Sequence, residues 1–326
     1  MADSSTPNTS PQAAVSPDTK PRSAGTPFDS QRPGVDIILR SSDRVDFYMH
    51  KFVLSLASPI FESTFIIPQP QTADDGPPVV DLPEDSPTLE SILRLCNPVP
   101  PPTFTRIADI RRVWEAALKY EMDGVRAGVL VFLDSFLDKD PLGVFALGCR
   151  ANREDLCQAA ATRLLHHSLR SIQSDELRYL SAYSYSKLAE WHARCCDAAA
   201  EVTTKRYWFA SNGVLSLWEA RCQCTNCWLP DHTPSQNRWY ACQFVWDYLR
   251  RAQGILESSP RSAAITSEDV IGSSDIWYPC TCSSITCGTR YRHYEWERRT
   301  IPMILGQNVD RAVSEVRVAV KTISCV

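Results

Sequence analysis

The sequence predicts an α+β protein: a small β-sheet flanked by helices, then a helical region, then a mainly helical C-terminal region rich in cysteine and tryptophan. Two short β-branched runs lie close together near residue 40. Apolar residues then recur every three or four positions from residue 106 to residue 200, as helices require. Beyond residue 200 lie eight of the 13 cysteines and seven of the nine tryptophans, so the composition changes there.

Composition and charge exclude several classes of protein. The 34 Lys and Arg residues face 38 Asp and Glu, and a formal charge of −4 leaves no broad cationic surface for nucleic acid or acidic membrane. The longest strongly apolar run, residues 129–133, falls far short of the ~20 residues that span a bilayer. The first residues lack the pattern of an export signal, so we expect a soluble protein of the cytoplasm or nucleus whose cysteines are thiols or metal ligands.

Residues 1–34 are predicted to form a disordered tail. They contain six prolines, ten Ser or Thr residues and a single aromatic residue, Phe28. Such a segment buries too little apolar surface to offset the entropy of ordering it.

Short elements are predicted from residue 35 to residue 102. Residues 35–40 and 45–49 form a hairpin around the polar turn 41–44, and a helix follows at 51–58. Pro59 ends that helix and opens a second one through residue 65. Ten of the 23 prolines fall between residues 68 and 102, where only a strand at 79–82 and a Ser86-capped helix through residue 95 are expected.

Longer helices are predicted after that proline-rich region. A helical pair covers residues 106–137 with a break at 123–124, and further helices cover 140–149, 152–167 and 175–200. We therefore divide the chain after its tail into domains at 35–138, 139–200 and 201–326.

In this order, the elements of residues 35–138 resemble the BTB/POZ domain. Residues 36–39 (Asp-Ile-Ile-Leu) look like its first strand, and residues 47–54 (Phe-Tyr-Met-His-Lys-Phe-Val-Leu) look like its second strand running into the first helix. Residues 58–61 (Ser-Pro-Ile-Phe) look like the next helix start, and residues 117–125 like the junction between its last two helices. The later helices and the cysteine-containing extension look like the BTB proteins that are abundant in mushroom-forming fungi.

The motif residues are interpreted as structural. His50 and Ser58 would satisfy backbone groups at the ends of elements, while Phe52, Leu56 and Phe61 would fill the core. No Asp or Cys stands at a spacing that would make His50 a catalytic base. The predicted structural motif consists of Asp36, His50, Lys51, Ser58 and Phe61.

The resemblance implies protein recognition without catalysis, since BTB domains usually form homodimers and some recruit a cullin to a ubiquitin ligase. Family dimers use the first helix, so the candidate interface residues are Val53, Leu54 and Leu56, with burial in the monomer core as the alternative for each. An exchanged N-terminal strand is not expected, because residues 1–34 carry almost no β-forming residues. Cullin recruitment is less favoured, because residues 96–102 replace the family's hydrophobic-x-Glu element with Cys-Asn-Pro-Val-Pro-Pro-Pro. The other protein partners are unidentified.

Two cysteine groups in the last region have the spacing of zinc ligands. Cys-x-Cys-x2-Cys begins at Cys222 and Cys-x-Cys-x4-Cys begins at Cys280, and each is followed by a histidine. They flank a predicted helix at 239–256, and a last helix is predicted at 308–320. The candidate zinc ligands are Cys224, Cys227, Cys280 and Cys282. The alternative is that these cysteines are small buried apolar residues.

Motifs of enzymes are missing from the sequence. It contains no phosphate-binding loop, dinucleotide fingerprint, nucleophile elbow or His-Glu-x-x-His. We therefore predict a non-enzymatic scaffold or adaptor. The alternative is a transcription-associated zinc protein that contacts nucleic acid through Arg290, Arg292, Arg298 and Arg299, but the intervening Glu295 and Glu297 favour a solvated face.

Overall fold

The computed structural model describes residues 20–31, 33–66, 76–205, 243–272 and 294–317. The chain divides into two compact units, Met1–Asp134 and Ser135–Val326, and each is described by itself. Among the described helices, none combines the length and the apolar character needed to cross a membrane.

Four strands form one mixed sheet in the first unit: β1 (Arg22–Ser23), β2 (Ile37–Arg40), β3 (Val45–Met49) and β4 (Val79–Asp81). The predicted hairpin forms, with β2 antiparallel to β3 and Arg44 at φ 62° in the turn. Because β1 pairs parallel with β3 and β4 pairs parallel with β2, the strand order is β1-β3-β2-β4. This sheet, flanked by helices, confirms the predicted α+β class.

Strand β1 shows that the predicted disordered tail is wrong from residue 20 onward. The amide of Ala24 donates to the carbonyl of Asp46 at 2.9 Å, and the amide of Tyr48 donates to the carbonyl of Phe28 at 3.0 Å. Phe28 is fully buried, with its ring centroid 6.2 Å from that of Phe47. Composition misled the prediction because backbone pairing to an existing strand and one buried ring order this segment although it carries few β-forming residues. Residues 1–19 lie outside the described residues.

Five helices complete the first unit: α1 (Lys51–Ala57), α2 (Pro59–Ile66), α3 (Ser86–Cys96), α4 (Ile107–Lys119) and α5 (Asp123–Leu130). Asp85, rather than the predicted Ser86, caps α3, since its carboxylate accepts from the amide of Thr88 at 3.0 Å. Helices α3, α4 and α5 pack on one another. A 3-10 helix, Val131–Phe136, follows α5.

The second unit is helical in its described part. Its helices are α6 (Pro141–Arg150), α7 (Glu154–Leu164), a 3-10 helix (Asp175–Tyr179), α8 (Ala182–Lys205), α9 (Gln243–Leu256), α10 (Ser262–Ile265), α11 (Glu268–Ile271) and α12 (Tyr294–Arg317). Helix α12 starts well before the predicted residue 308, because Ile301, Ile304 and Leu305 extend its buried stripe.

The predicted domain boundary at residue 200 does not separate two compact units. Helix α8 continues through this position to Lys205 and packs against both α9 and α12. Cys195 and Ala199 on α8 are fully buried, as are Val309 and Val313 on α12. The predicted helical extension and the described helices of the C-terminal region therefore share one core.

Candidate protein-interaction surface

Helix α1 exposes two large apolar side chains. Phe52 and Leu56 lie four positions apart, on the same side of the helix, and are 72% and 74% exposed. We call these two residues the α1 face. On α2, Ile66 is also 77% exposed. Large apolar side chains grouped on a surface are typical of a protein-interaction site.

Burial along α1 corrects the predicted core role of Phe52 and Leu56, and for Leu54 it selects the alternative of burial in the core. Leu54, a predicted interface residue, is fully buried, whereas Leu56 is exposed and Val53 is intermediate. Phe52 and Leu56 were expected to fill the core and do not. At about 100° per residue, Leu54 lies on the side opposite to Phe52 and Leu56, so these residues cannot share one environment. The spacing signals two separate apolar sides, but it does not show which one faces the core.

The start of α1 is fixed by residues of the predicted structural motif. The backbone amide of Lys51 donates to Asp36 Oδ1 at 2.7 Å, which supplies a carboxylate to the helix N-terminus from the segment before β2. His50 makes no side-chain cap of its own. Its Nδ1 lies 2.9 Å from the carbonyl oxygen of Gly34, and because a carbonyl only accepts, Nδ1 carries the proton of this hydrogen bond.

The break between α1 and α2 is fixed by Ser58, which is fully buried. Its hydroxyl donates to the carbonyl of Tyr120 at 2.5 Å and accepts from the amide of Phe61 at 3.1 Å. The ring of Phe61 stacks on the ring of Tyr120, with centroids 5.1 Å apart. Ser58 and Phe61 therefore hold this pair of helices against the end of α4.

The phenol of Tyr120 extends this support to the loop before α3. It donates to Glu84 Oε2 at 2.5 Å, and Lys119 Nζ donates to the other carboxylate oxygen at 3.0 Å. Burial and the contact with the Glu84 carboxylate raise the pKa of Tyr120 well above its ordinary value. The phenol therefore keeps its proton, and the hydrogen bond it donates, into the alkaline range where an ordinary tyrosine ionises.

A thiol and an imidazole meet in the second unit, in the arrangement that a nucleophilic cysteine would need. Cys196 Sγ lies 3.5 Å from His192 Nδ1, and both residues are buried on α8. Burial raises the pKa of Cys196 to about 11 and lowers the pKa of His192. The thiol and the imidazole are therefore both neutral at pH 7, and the pair lacks the thiolate that attack requires. A packing role fits Cys195 and Cys196 better, since both side chains are buried.

The predicted zinc ligands Cys224, Cys227, Cys280 and Cys282 lie outside the described residues. Across the residues that the structure does describe, no cluster of His, Cys, Asp and Glu side chains could hold a metal ion.

The arginines predicted for nucleic acid are partly described. Arg290 and Arg292 lie outside the described residues. Arg298 donates to the carbonyl of Gly272 at 3.1 Å and forms an ion pair with Glu268. Both contacts of its guanidinium group lie within the second unit. This pairing removes Arg298 from a basic stripe that would face a polyanion.

Comparison with known proteins gives one family match. Residues 28–137 match the family model of the BTB/POZ domain. The match begins at the buried Phe28 and ends just beyond the first compact unit. No curated protein matches the chain. The chain therefore carries a BTB/POZ domain, a protein-interaction fold, across residues 28–137.

Proposed function

We propose that the BTB/POZ domain joins two copies of the chain through the α1 face, and that the dimer acts as a non-enzymatic scaffold or adaptor for other proteins. One observation carries the proposal: Phe52 and Leu56 are 72% and 74% exposed on one side of a helix whose opposite side is anchored in the core. Exposed apolar side chains on a rigid support are what a specific interface uses.

A second copy fits this surface because the α1 face is self-complementary. A two-fold axis brings the same residues of both copies together, so Phe52 and Leu56 of one chain meet the same residues of the other. Lys51 is the one charged residue within α1, and it stands at the N-terminal end. When two such helices cross antiparallel, their lysines lie at opposite ends of the contact and do not repel each other.

The side chains of the α1 face set the size of the expected effect. Full burial of a Leu or Phe side chain contributes about 1.5 to 3 kcal/mol, and roughly three quarters of each side chain is available here. A substitution in a symmetric dimer counts twice. We therefore expect Leu56→Ala to cost about 3 kcal/mol of association free energy, which raises the dissociation constant by about two orders of magnitude.

Sedimentation equilibrium of the full chain tests the proposal. The unchanged protein should sediment as a dimer at micromolar concentration, and Leu56→Asp and Phe52→Asp should sediment as monomers. Leu118→Asp is the matched control, because Leu118 is 46% exposed on α4 of the same unit and should not change the mass. A monomeric unchanged chain, or a dimer that survives both α1 substitutions, contradicts dimerisation through this face.

The adaptor role predicts further protein partners. A cullin is the less favoured partner, because residues 97–102 after α3 are Asn-Pro-Val-Pro-Pro-Pro. Mixing the purified chain with a purified cullin scaffold and measuring co-elution tests this partner directly. Failure to co-elute would leave the dimeric scaffold without this ubiquitin-ligase role.

Structural zinc is proposed for Cys224, Cys227, Cys280 and Cys282 on the strength of their spacing. Structural zinc contributes on the order of 10 kcal/mol to the folding of small domains. The full chain should contain one zinc per molecule by elemental mass spectrometry, and Cys224→Ser with Cys280→Ser should remove it. Metal-free protein purified without chelator would contradict this proposal.

A further inference from the structure

Two cysteines meet between α6 and α7 in the second unit. Cys149 Sγ and Cys157 Sγ lie 3.6 Å apart. Cys149 is the penultimate residue of α6, and Cys157 lies in the first turns of α7. The two residues are 8% and 4% exposed. Cys157 Sγ also lies 3.9 Å from the carbonyl oxygen of Phe145, a weak contact.

Backbone geometry holds these two sulfurs together. A Cβ atom at Gly148 would lie 3.1 Å from Cys157 Sγ and 3.4 Å from the amide nitrogen of the same residue, so the helices approach this closely because position 148 has no side chain. The turn between the helices is closed by the amide of Arg153, which donates to the carbonyl of Gly148 at 2.9 Å, and by Asn152 at φ 54°. The turn and Gly148 therefore bring α6 and α7 close together at this pair, and the two side-chain rotamers set the 3.6 Å between the sulfurs.

We propose that Cys149 and Cys157 form a dithiol modification site, which a small peroxide oxidises to an intramolecular disulfide. When the turn opens to solvent, one thiol loses its proton, the thiolate attacks the peroxide and the O–O bond breaks, and a sulfenic acid and one water form as the released hydroxide takes up a proton. The second sulfur then attacks the sulfenic sulfur, and the S–S bond forms as a second water leaves. Two thiols and one hydrogen peroxide thus give one disulfide and two waters, with two electrons passing from sulfur to oxygen.

The distance and the surroundings suit this chemistry. The sulfurs must approach from 3.6 Å to about 2.05 Å, a movement that side-chain rotation and a small shift of the turn supply. Both cysteines adjoin the turn at residues 151–153, where Asn152 is exposed, so opening of a short turn admits a small oxidant without unfolding the unit. The disulfide would then join the end of α6 to the start of α7 and restrict opening of this helical hairpin.

Trypsin separates the two cysteines and makes the test direct. Cleavage after Lys139, Arg150, Arg153 and Arg163 leaves Cys149 in peptide 140–150 and Cys157 in peptide 154–163. The full chain is treated with hydrogen peroxide, blocked with N-ethylmaleimide in denaturant, digested without reductant and analysed by mass spectrometry. The linked pair should weigh about two mass units less than the two thiol peptides together.

The yield of this link distinguishes the proposal from indiscriminate oxidation. Cys149 has twelve other cysteines in the chain as possible partners, so random pairing would place about one twelfth of its disulfides with Cys157. We expect the 140–150/154–163 link to take more than half of the oxidised Cys149. A yield at the random level, or a dominant link from Cys149 to another cysteine, overturns the proposal.

Variants identify the reacting sulfurs. Cys149→Ser should abolish the link and leave Cys157 as a sulfenic acid that dimedone traps, and Cys157→Ser should do the same for Cys149. Cys96→Ser is the matched control, because Cys96 lies on α3 in the first unit, and the link should form in it unchanged. If the serine variants do not fold, the peptide map of the unchanged chain still shows whether Cys149 and Cys157 form the disulfide. Recovery of both cysteines as maleimide adducts at a peroxide dose that oxidises Cys96 also overturns the proposal.

Discussion

Replacing Ser58 with alanine should loosen the junction that carries the α1 face. Ser58 is fully buried and makes two hydrogen bonds through one hydroxyl, to the carbonyl of Tyr120 and from the amide of Phe61. The first bond joins residues that are 62 positions apart in the chain. The second bond caps the N-terminus of α2. Ser58→Ala removes both bonds and supplies no new partner for the carbonyl of Tyr120 or the amide of Phe61.

The magnitude follows from these two bonds. Loss of a serine cap costs about 1 kcal/mol. Loss of the donor to a buried carbonyl costs about 1 to 3 kcal/mol, because the desolvated oxygen loses its partner. We therefore expect Ser58→Ala to destabilise the first unit by about 2 to 4 kcal/mol, which corresponds to roughly a 30-fold or greater rise in the population of the open state.

Hydrogen exchange of the full chain at neutral pH measures this destabilisation in α2 itself. Peptides that cover α2 should exchange roughly 30-fold faster or more in Ser58→Ala than in the unchanged protein, since the amide of Phe61 loses its acceptor, Ser58 Oγ, and the junction that holds α2 is weakened. Ser55→Ala on α1 is the matched control and should change exchange less than about threefold, because surface substitutions stay within about 0.5 kcal/mol. Equal exchange in the two variants would refute the assignment of Ser58 as the anchor of this junction.

Four further predictions concern charge and packing. Burial and the contact with Glu84 raise the pKa of Tyr120 in the folded protein. The neutral phenol therefore contributes its full stabilisation below its unfolded pKa near ~10, and this stabilisation is lost as the pH rises further. Tyr120→Phe should flatten the dependence of the urea midpoint on pH above that value. Burial acts to raise the pKa of Asp43, but hydrogen bonds from two serines outweigh it and lower that pKa. The carboxylate therefore stabilises the fold above its unfolded pKa near ~3.9, and Asp43→Asn should reduce the loss of the urea midpoint on acidification below pH ~4. Gly148→Ala should destabilise the protein by about 1 to 3 kcal/mol and so lower its melting temperature, because the added Cβ would lie 3.1 Å from Cys157 Sγ on α7. Gly128→Ala should instead stabilise α5 by about 0.5 to 1 kcal/mol, because its Cβ would meet nothing within 4 Å.

The sequence predicted the elements of the first unit well, because those elements depend on local patterns. The hairpin turn, the break before α5 and the proline that starts α2 each follow from residues within a few positions of one another. Strand β1 could not be predicted in this way, since Arg22 and Ser23 become a strand only through pairing with β3. Nor could Asp36 be predicted as the partner of the α1 amide from local spacing alone, because 15 residues separate the two groups.

The α1 face shows why a correct helix prediction can still misplace a functional surface. Helix α1 has seven residues and apolar side chains on opposite sides, so periodicity alone allows either side to face the core. The anchors at Asp36 and Ser58 decide between them, because they fix both ends of α1 and turn Leu54 inward. A polar residue at the outward positions would serve the monomer equally well, since Lys and Glu form helices as readily as Leu and more readily than Phe. Phe52 and Leu56 are more than 70% exposed, and the proposed dimer would give these two apolar side chains a surface to bury against.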